Sequence, residues 1–179
     1  MKISRETQLH IFTVGHSTRT SAELLRLLTP YGVTLLVDVR SFPHSHRNPQ
    51  FNKETIELNA SRAGIRYAWL KKLGGRRKGL GVSSPNVCWR NKSFRNFADY
   101  METNEFRDGV QELLRMANAE SVAIMCAESL YWRCHRSMIA DFLKSEGVDV
   151  THVLDIGNSK EHKYTKCAKV IHGKLTYHS

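Results

Sequence analysis

The densest group of reactive side chains in this sequence is the run Cys126-Ala-Glu-Ser-Leu-Tyr-Trp-Arg-Cys134-His135-Arg136-Ser137. Its residue types suit three chemistries. Arg133 and Arg136 can hold phosphate or carboxylate through charge-assisted, bidentate hydrogen bonds. Glu128 can act as base, nucleophile or hydroxyl anchor, or it can orient Arg40 or Arg136 as a salt-bridge partner. Cys126 and Cys134 are reactive thiols if a helix N-terminus lowers their pKa, and small buried packing residues if nothing does. The six residues between Cys126 and Arg133 do not match a phosphatase-type loop. A zinc set can be drawn from Cys126, Cys134 and His135 with His162 or Cys167, but the spacing is irregular, so the expectation is no metal and no cofactor.

Other polar residues fall where strands should end. His16 follows a short apolar run and can titrate or hydrogen-bond there, or serve as a satisfied structural histidine. Asp38 and Arg40 close a second run, and one of them should enter the site while the other supports it. Arg47 and Asn48 offer hydrogen-bond donors beside Phe51. Tyr67, Trp69 and Trp89 lie near basic loops, where aromatics interleaved with arginine can stack on bases; for Tyr67, core packing is the competing reading.

The elements that must position these residues alternate in type. Ile11–Val14 is a β-branched and aromatic run. Thr20-Ser-Ala-Glu23 has capping-box spacing, and Leu24, Leu25, Leu27, Leu28 and Tyr31 follow at helical period before Gly32. Leu35–Val39 predicts a second strand, 53–63 a helix, and Ile65–Trp69 a third strand. No period runs through 73–92, which predicts a long loop. Phe94–Met101 and Phe106–Met116 predict helices, and Ser121–Cys126 a buried parallel strand. A helix over about 134–146, a strand over Val148–Leu154 and a terminal edge strand over Val170–Tyr177 complete the chain. Strands alternating with helices predict a single α/β domain over 11–179 after a tail at 1–10, with three layers and a mostly parallel sheet covered on both faces. In such sheets ligands bind at the carboxyl ends of the strands, where His16, Asp38, Arg40, Cys126 and Glu128 all fall.

Of 179 residues, 27 are Lys or Arg and 17 Asp or Glu, a formal charge of +10. Basic residues crowd into 40–53, 62–78 and 160–174. Charge of this density draws polyanions, so the expected partner is nucleic acid, DNA favoured, or a phosphorylated nucleotide. No apolar run is long enough to span a bilayer. With no export signal and no CxxC pair, a cytoplasmic location and four reduced cysteines are expected.

Several motifs together resemble one family: Thr13-Val-Gly-His-Ser17, Val37-Asp-Val-Arg-Ser-Phe-Pro43, Arg47-Asn-Pro-Gln-Phe-Asn52, Leu73-Gly-Gly-Arg76, Met125-Cys-Ala-Glu128 and Cys134-His-Arg-Ser137. Their order is similar to that in the family catalogued as domain of unknown function 488. The resemblance implies no particular reaction, but it marks His16, Asp38, Arg40, Pro43, Arg47, Asn48, Glu128, Cys134, His135 and Arg136 as pattern positions. The expected function is an enzyme on nucleic acid or nucleotide. It would cleave a glycosidic bond or, second, a phosphoester, with Glu128, His16 and Asp38 catalytic and Arg40, Arg47, Asn48, Tyr67, Arg133, His135 and Arg136 binding substrate. The alternatives are a thiol-dependent sulfur-transfer or redox protein using Cys126 or Cys134, and a non-catalytic nucleic-acid-binding module.

Overall fold

The computed structural model of the protein describes residues 8–178. Five strands, β1 (His10–Gly15), β2 (Leu35–Asp38), β3 (Arg66–Trp69), β4 (Val122–Cys126) and β5 (Asp149–Asp155), lie parallel in the order β3-β2-β4-β1-β5. A short antiparallel strand, β6 (Asn158–Glu161), closes the β5 edge. The all-apolar run Val122–Cys126 is buried along its whole length because it occupies the middle of the sheet.

Helices α1 (Ser21–Leu28) and α2 (Lys53–Arg62) cover one face. Leu24, Leu28, Ile56 and Ala60 pack there on Val14, Leu36 and Met125. The other face is covered by α3 (Lys92–Met101), α4 (Asn104–Ala119) and α5 (Arg136–Ser145). Phe97, Phe106, Leu113 and Ile139 pack there on Ile11, Val37 and Ile124. Each such side chain, fully buried, contributes about 1.5–3 kcal/mol of transfer free energy. The Thr20–Glu23 capping box forms as its spacing predicts, with both reciprocal bonds present. The chain is therefore the expected three-layer α/β domain.

Three expectations need correction. Strand β1 begins at His10, inside the segment expected to be tail, while residues 1–7 lie outside the described residues. The terminal strand expected over Val170–Tyr177 is a separate hairpin, β7 (Lys169–Ile171) and β8 (Lys174–Thr176), because the chain turns at His172 and Gly173, both at positive φ. The sheet edge belongs instead to β6, whose polar sequence Asn-Ser-Lys-Glu carries no apolar signal.

The loop over 73–92 exists but is fastened. Asp99 of α3 accepts hydrogen bonds from the Leu80 amide (2.8 Å), the Ser84 hydroxyl and the Asn86 amide (2.8 Å). Arg77 lies 3.7 Å over the Tyr100 ring. Finally, Cys88 and Cys167 are joined in a disulfide with a Cα separation of 5.8 Å, so the expectation of four reduced cysteines fails. They lie 79 positions apart in the sequence. What brings them together is tertiary packing of the loop on the C-terminal segment, where Trp89 meets Tyr177 at 5.5 Å. No helix of the described residues is long and apolar enough to cross a membrane.

Candidate active site

A cavity of about 1070 Å³ opens at the carboxyl ends of β1, β2 and β4. Strand ends supply His16, Arg40, Cys126 and Glu128 to its wall; the entry to α5 supplies Arg133, Cys134 and His135. Asn48 lines it from the loop after β2. The parallel sheet is what makes residues more than a hundred positions apart converge. The ladder between β1 and β4 continues past both strands, with the His16 amide donating to Cys126 O and the Ser17 amide to Ala127 O, both at 2.9 Å.

The close approach fixes a glycine. A Cβ on Gly15 would lie 1.9 Å from the Glu128 carbonyl oxygen, so only glycine lets the 127–130 turn pass over the end of β1. Gly75 is held similarly by the His135 ring, which a Cβ would meet at 2.6 Å.

Four expected site residues are not on the wall. Asp38 is fully buried behind it. Its carboxylate accepts from Arg40 Nε (2.9 Å) and from the Arg40 amide (3.0 Å). Tyr67 hydroxyl donates to the same carboxylate at 2.7 Å, which places Tyr67 in support of the Asp38–Arg40 pair rather than on a base. Burial, then the Asp38 charge and bond, push the Tyr67 phenol well above its usual range. Arg47 is exposed outside the cavity. Arg136 is the largest fully buried side chain and has no surface to offer a ligand. Its position on the same α5 stripe as Ile139 and Leu143 was the sequence signal for this burial. As expected, one of Asp38 and Arg40 enters the site and the other supports it.

His16 is 2% exposed and stacks on Phe51 at 4.1 Å. Burial, with smaller contributions from Arg40 and Arg136, lowers its pKa to about 4, so it is neutral at pH 7. Its Nδ1–H donates to Ser17 O at 2.9 Å, and Nε2 accepts from Arg40 Nη1 at 3.3 Å. Both ring nitrogens are therefore engaged. Glu128 is exposed, with Oε1 accepting from the Leu130 amide at 3.2 Å.

The thiols are arranged differently. Cys134 Sγ lies 3.5 Å from His135 Nδ1 and accepts from the Arg136 amide at 3.4 Å, at the first turn of α5. His135 Nε2–H donates to Val39 O at 3.0 Å, which aims Nδ1 at the sulfur. Arg136 Nε donates to Cys126 Sγ at 3.0 Å, while its other nitrogens reach Glu128 O, Ser129 O and Thr13 Oγ1. Burial alone would raise the Cys134 thiol. The Cys126 S–H, His135 and Arg136 outweigh it and bring the thiol well below its ordinary value. Burial pushes the Cys126 thiol well up, the opposite direction to its neighbour.

Among the described residues, Cys126, Cys134 and His135 form a group whose ligand atoms lie within 4.8 Å of one another, the spacing a metal ion would need. A closed zinc set extended to the fourth ligands the sequence offers is not built: Cys167 is in the disulfide, and both His162 nitrogens are bonded, to His152 and to Asp141. A dication on these three atoms would also share the Cys126 sulfur with a buried guanidinium, and like charges that close repel by several kcal/mol.

Sequence reasoning missed Arg76 and Phe42, which bring a second charge and an exposed ring to the rim, 5.8 Å apart. Their loops were flagged, but nothing in the spacing joins 42 to 76. No curated protein and no solved structure matches this chain. The model of the family described as "Domain of unknown function DUF488" matches residues 20–143, which takes in β2, β3, β4 and the run from Cys126 to Arg136, and the chain belongs to that family.

Proposed function

We propose that the protein is a thiolate-dependent enzyme in which Cys134 attacks an electrophilic centre of an anionic substrate. The observation that carries this reading is Arg136. Its guanidinium is 1% exposed and forms no ion pair with any carboxylate among the described residues. A buried charge without a counter-charge costs many kcal/mol, and the sulfurs of Cys126 and Cys134 are the ionisable groups in contact with it. One of them supplies the anion. Cys134 is the better placed, since it also meets the Arg136 amide, the start of a helix and His135, which takes up its proton at Nδ1. Arg76 and Arg133, exposed at the rim, attract the substrate's negative charge.

Iodoacetamide labelling across pH tests this. Cys134 is expected to alkylate with a half-point well below the ordinary thiol value of about 8.5, and inorganic phosphate is expected to slow the reaction by occupying the basic cavity. A half-point at or above that value ends the proposal.

A second reading rests on Glu128, the exposed carboxylate on the same wall: hydrolysis of a nucleotide or nucleic acid, with the glycosidic bond as first candidate. Glu128→Gln would then remove turnover of nucleotide substrates while Cys134→Ser would spare it. Under the thiolate reading the two variants exchange behaviour.

A further inference from the structure

Cys126 has no part in the chemistry proposed so far, yet its sulfur sits on the cavity wall and shares a guanidinium with the reactive one. We infer that Cys126 is the resolving thiol of a dithiol–disulfide couple with Cys134, and that the electrophile this site accepts is the sulfur of an anionic disulfide. The inference rests on the reading of Cys134 as a thiolate.

The geometry supplies each requirement. The two sulfurs lie within 4.8 Å of each other, at the end of β4 and the entry to α5. Both cysteines line the cavity, and Cys134 is the one with His135 Nδ1 beside its sulfur at 3.5 Å, so Cys134 makes the first attack. The other two cysteines are already bonded to each other and cannot compete.

The electron count closes without a further reagent. Cys134 thiolate attacks one sulfur of R–S–S–R′; that S–S bond breaks, and R′–S⁻ leaves with the electron pair. Cys134 is now a neutral mixed disulfide, and Arg136 has lost its anion. The buried guanidinium then favours ionisation of the remaining thiol, so Cys126 gives its proton to the departing thiolate or to solvent. Cys126 thiolate attacks Cys134 Sγ, the bond from Cys134 to the substrate sulfur breaks, and R–S⁻ departs. Two electrons have passed from the pair to the substrate, and a Cys126–Cys134 disulfide remains. In that state Arg136 has no anionic partner at all, which favours the return to dithiol when a thiol reductant arrives.

Dithionitrobenzoate, a disulfide bearing two carboxylates, is the probe. The full chain is treated below pH 8, released thionitrobenzoate is counted, and intact mass reports what stays bound. Wild type is expected to release two thionitrobenzoates per chain and retain none, the second in a concentration-independent phase. Cys126→Ser is expected to release one and keep the other on Cys134, with that adduct at least ~10-fold longer-lived than in wild type. If wild type also keeps a thionitrobenzoate as long as the variant does, Cys126 does not resolve and the inference is overturned while the thiolate stands. If wild type releases nothing below pH 8, the thiolate reading itself fails and takes this one with it.

Discussion

Replacing Arg136 by methionine tests the charge logic directly, because methionine fills a similar volume without the guanidinium. Two contributions are lost. The Glu128 and Ser129 carbonyls and the Thr13 hydroxyl lose a donor, at about 1 kcal/mol for each bond. The thiolate also loses its counter-charge, but it does not stay ionised at the full cost of a broken buried pair, because a thiol can take a proton instead. The variant should therefore be less stable by about 3–5 kcal/mol at pH 8, roughly 10 °C in Tm for a chain of this length. The pH dependence is the sharper part. Cys134 in the folded wild type titrates below its unfolded value of about 8.5, so the folded state binds fewer protons. Its contribution to stability is complete above that value and is lost as pH falls through the folded pKa, with a slope of up to about 1.4 kcal/mol per pH unit between the two. The Arg136→Met variant, which keeps the Cys126 and His135 contributions, should show a shallower slope, and its Cys134 should alkylate with a half-point higher than in wild type. Arg136→Lys keeps a charge without the fork and should fall between. Urea unfolding at a series of pH values, with iodoacetamide rates on the same samples, measures both. A folded Arg136→Met protein whose alkylation half-point equals that of wild type would refute the reasoning.

Two further outcomes follow from burial and close contact. Because His16 is held neutral with a pKa lowered to about 4, acid favours the unfolded chain. Stability should fall as pH drops from about 6.5 towards about 4, by about 3 kcal/mol for this residue, and denaturation of a His16→Phe variant over the same range should show a correspondingly smaller loss. His152, lowered by burial to about 2, adds a loss of the same sign that the variant retains. Gly15→Ala forces a methyl against the Glu128 carbonyl, whose displacement withdraws an acceptor from Arg136. About 1–3 kcal/mol of destabilisation and slower Cys134 alkylation are expected, and a variant as stable and as reactive as wild type would show that the turn moves freely.

The alternation of elements was legible because local rules decide it. The capping box at Thr20 and the apolar run at Val122 each state a local structure that tertiary contacts did not need to override. The convergence of His16, Arg40, Cys126 and Glu128 was legible for a related reason: parallel strands deliver all their carboxyl ends to one edge. What was not legible is which polar residues face the cavity and which stand behind it. Arg136 and Asp38 read as ligand-facing groups by type, yet both are buried; the α5 stripe shared with Ile139 and Leu143 marked Arg136, whereas the burial of Asp38 depends on neighbours that only the fold assembles. Tyr67 reads as core and is half so, but its hydroxyl has a specific duty to Asp38. The Cys88–Cys167 bond was hidden for a different reason. It joins two segments without regular structure, across a span in which no spacing rule operates.

The two arginines at the centre of the site differ in what neutralises them, and that difference separates binding from chemistry. Arg40 is paired with Asp38, and beyond that pair its Nη1 reaches His16 and its Nη2 donates to Phe51 O at 2.7 Å. Its charge is spent at home, which makes it a rigid wall and a weak attractor of anions. Arg136 has no carboxylate, so its charge is spent on sulfur. Long-range attraction of an anionic substrate is thus left to Arg76 and Arg133, where solvent and salt screen it. Capture should weaken with ionic strength, while the ionisation of Cys134, set by the buried groups against its sulfur, should hardly respond to it. A site whose thiol reactivity fell in step with substrate capture as salt rose would have its thiolate sustained by the rim, and the buried guanidinium would have no part in it.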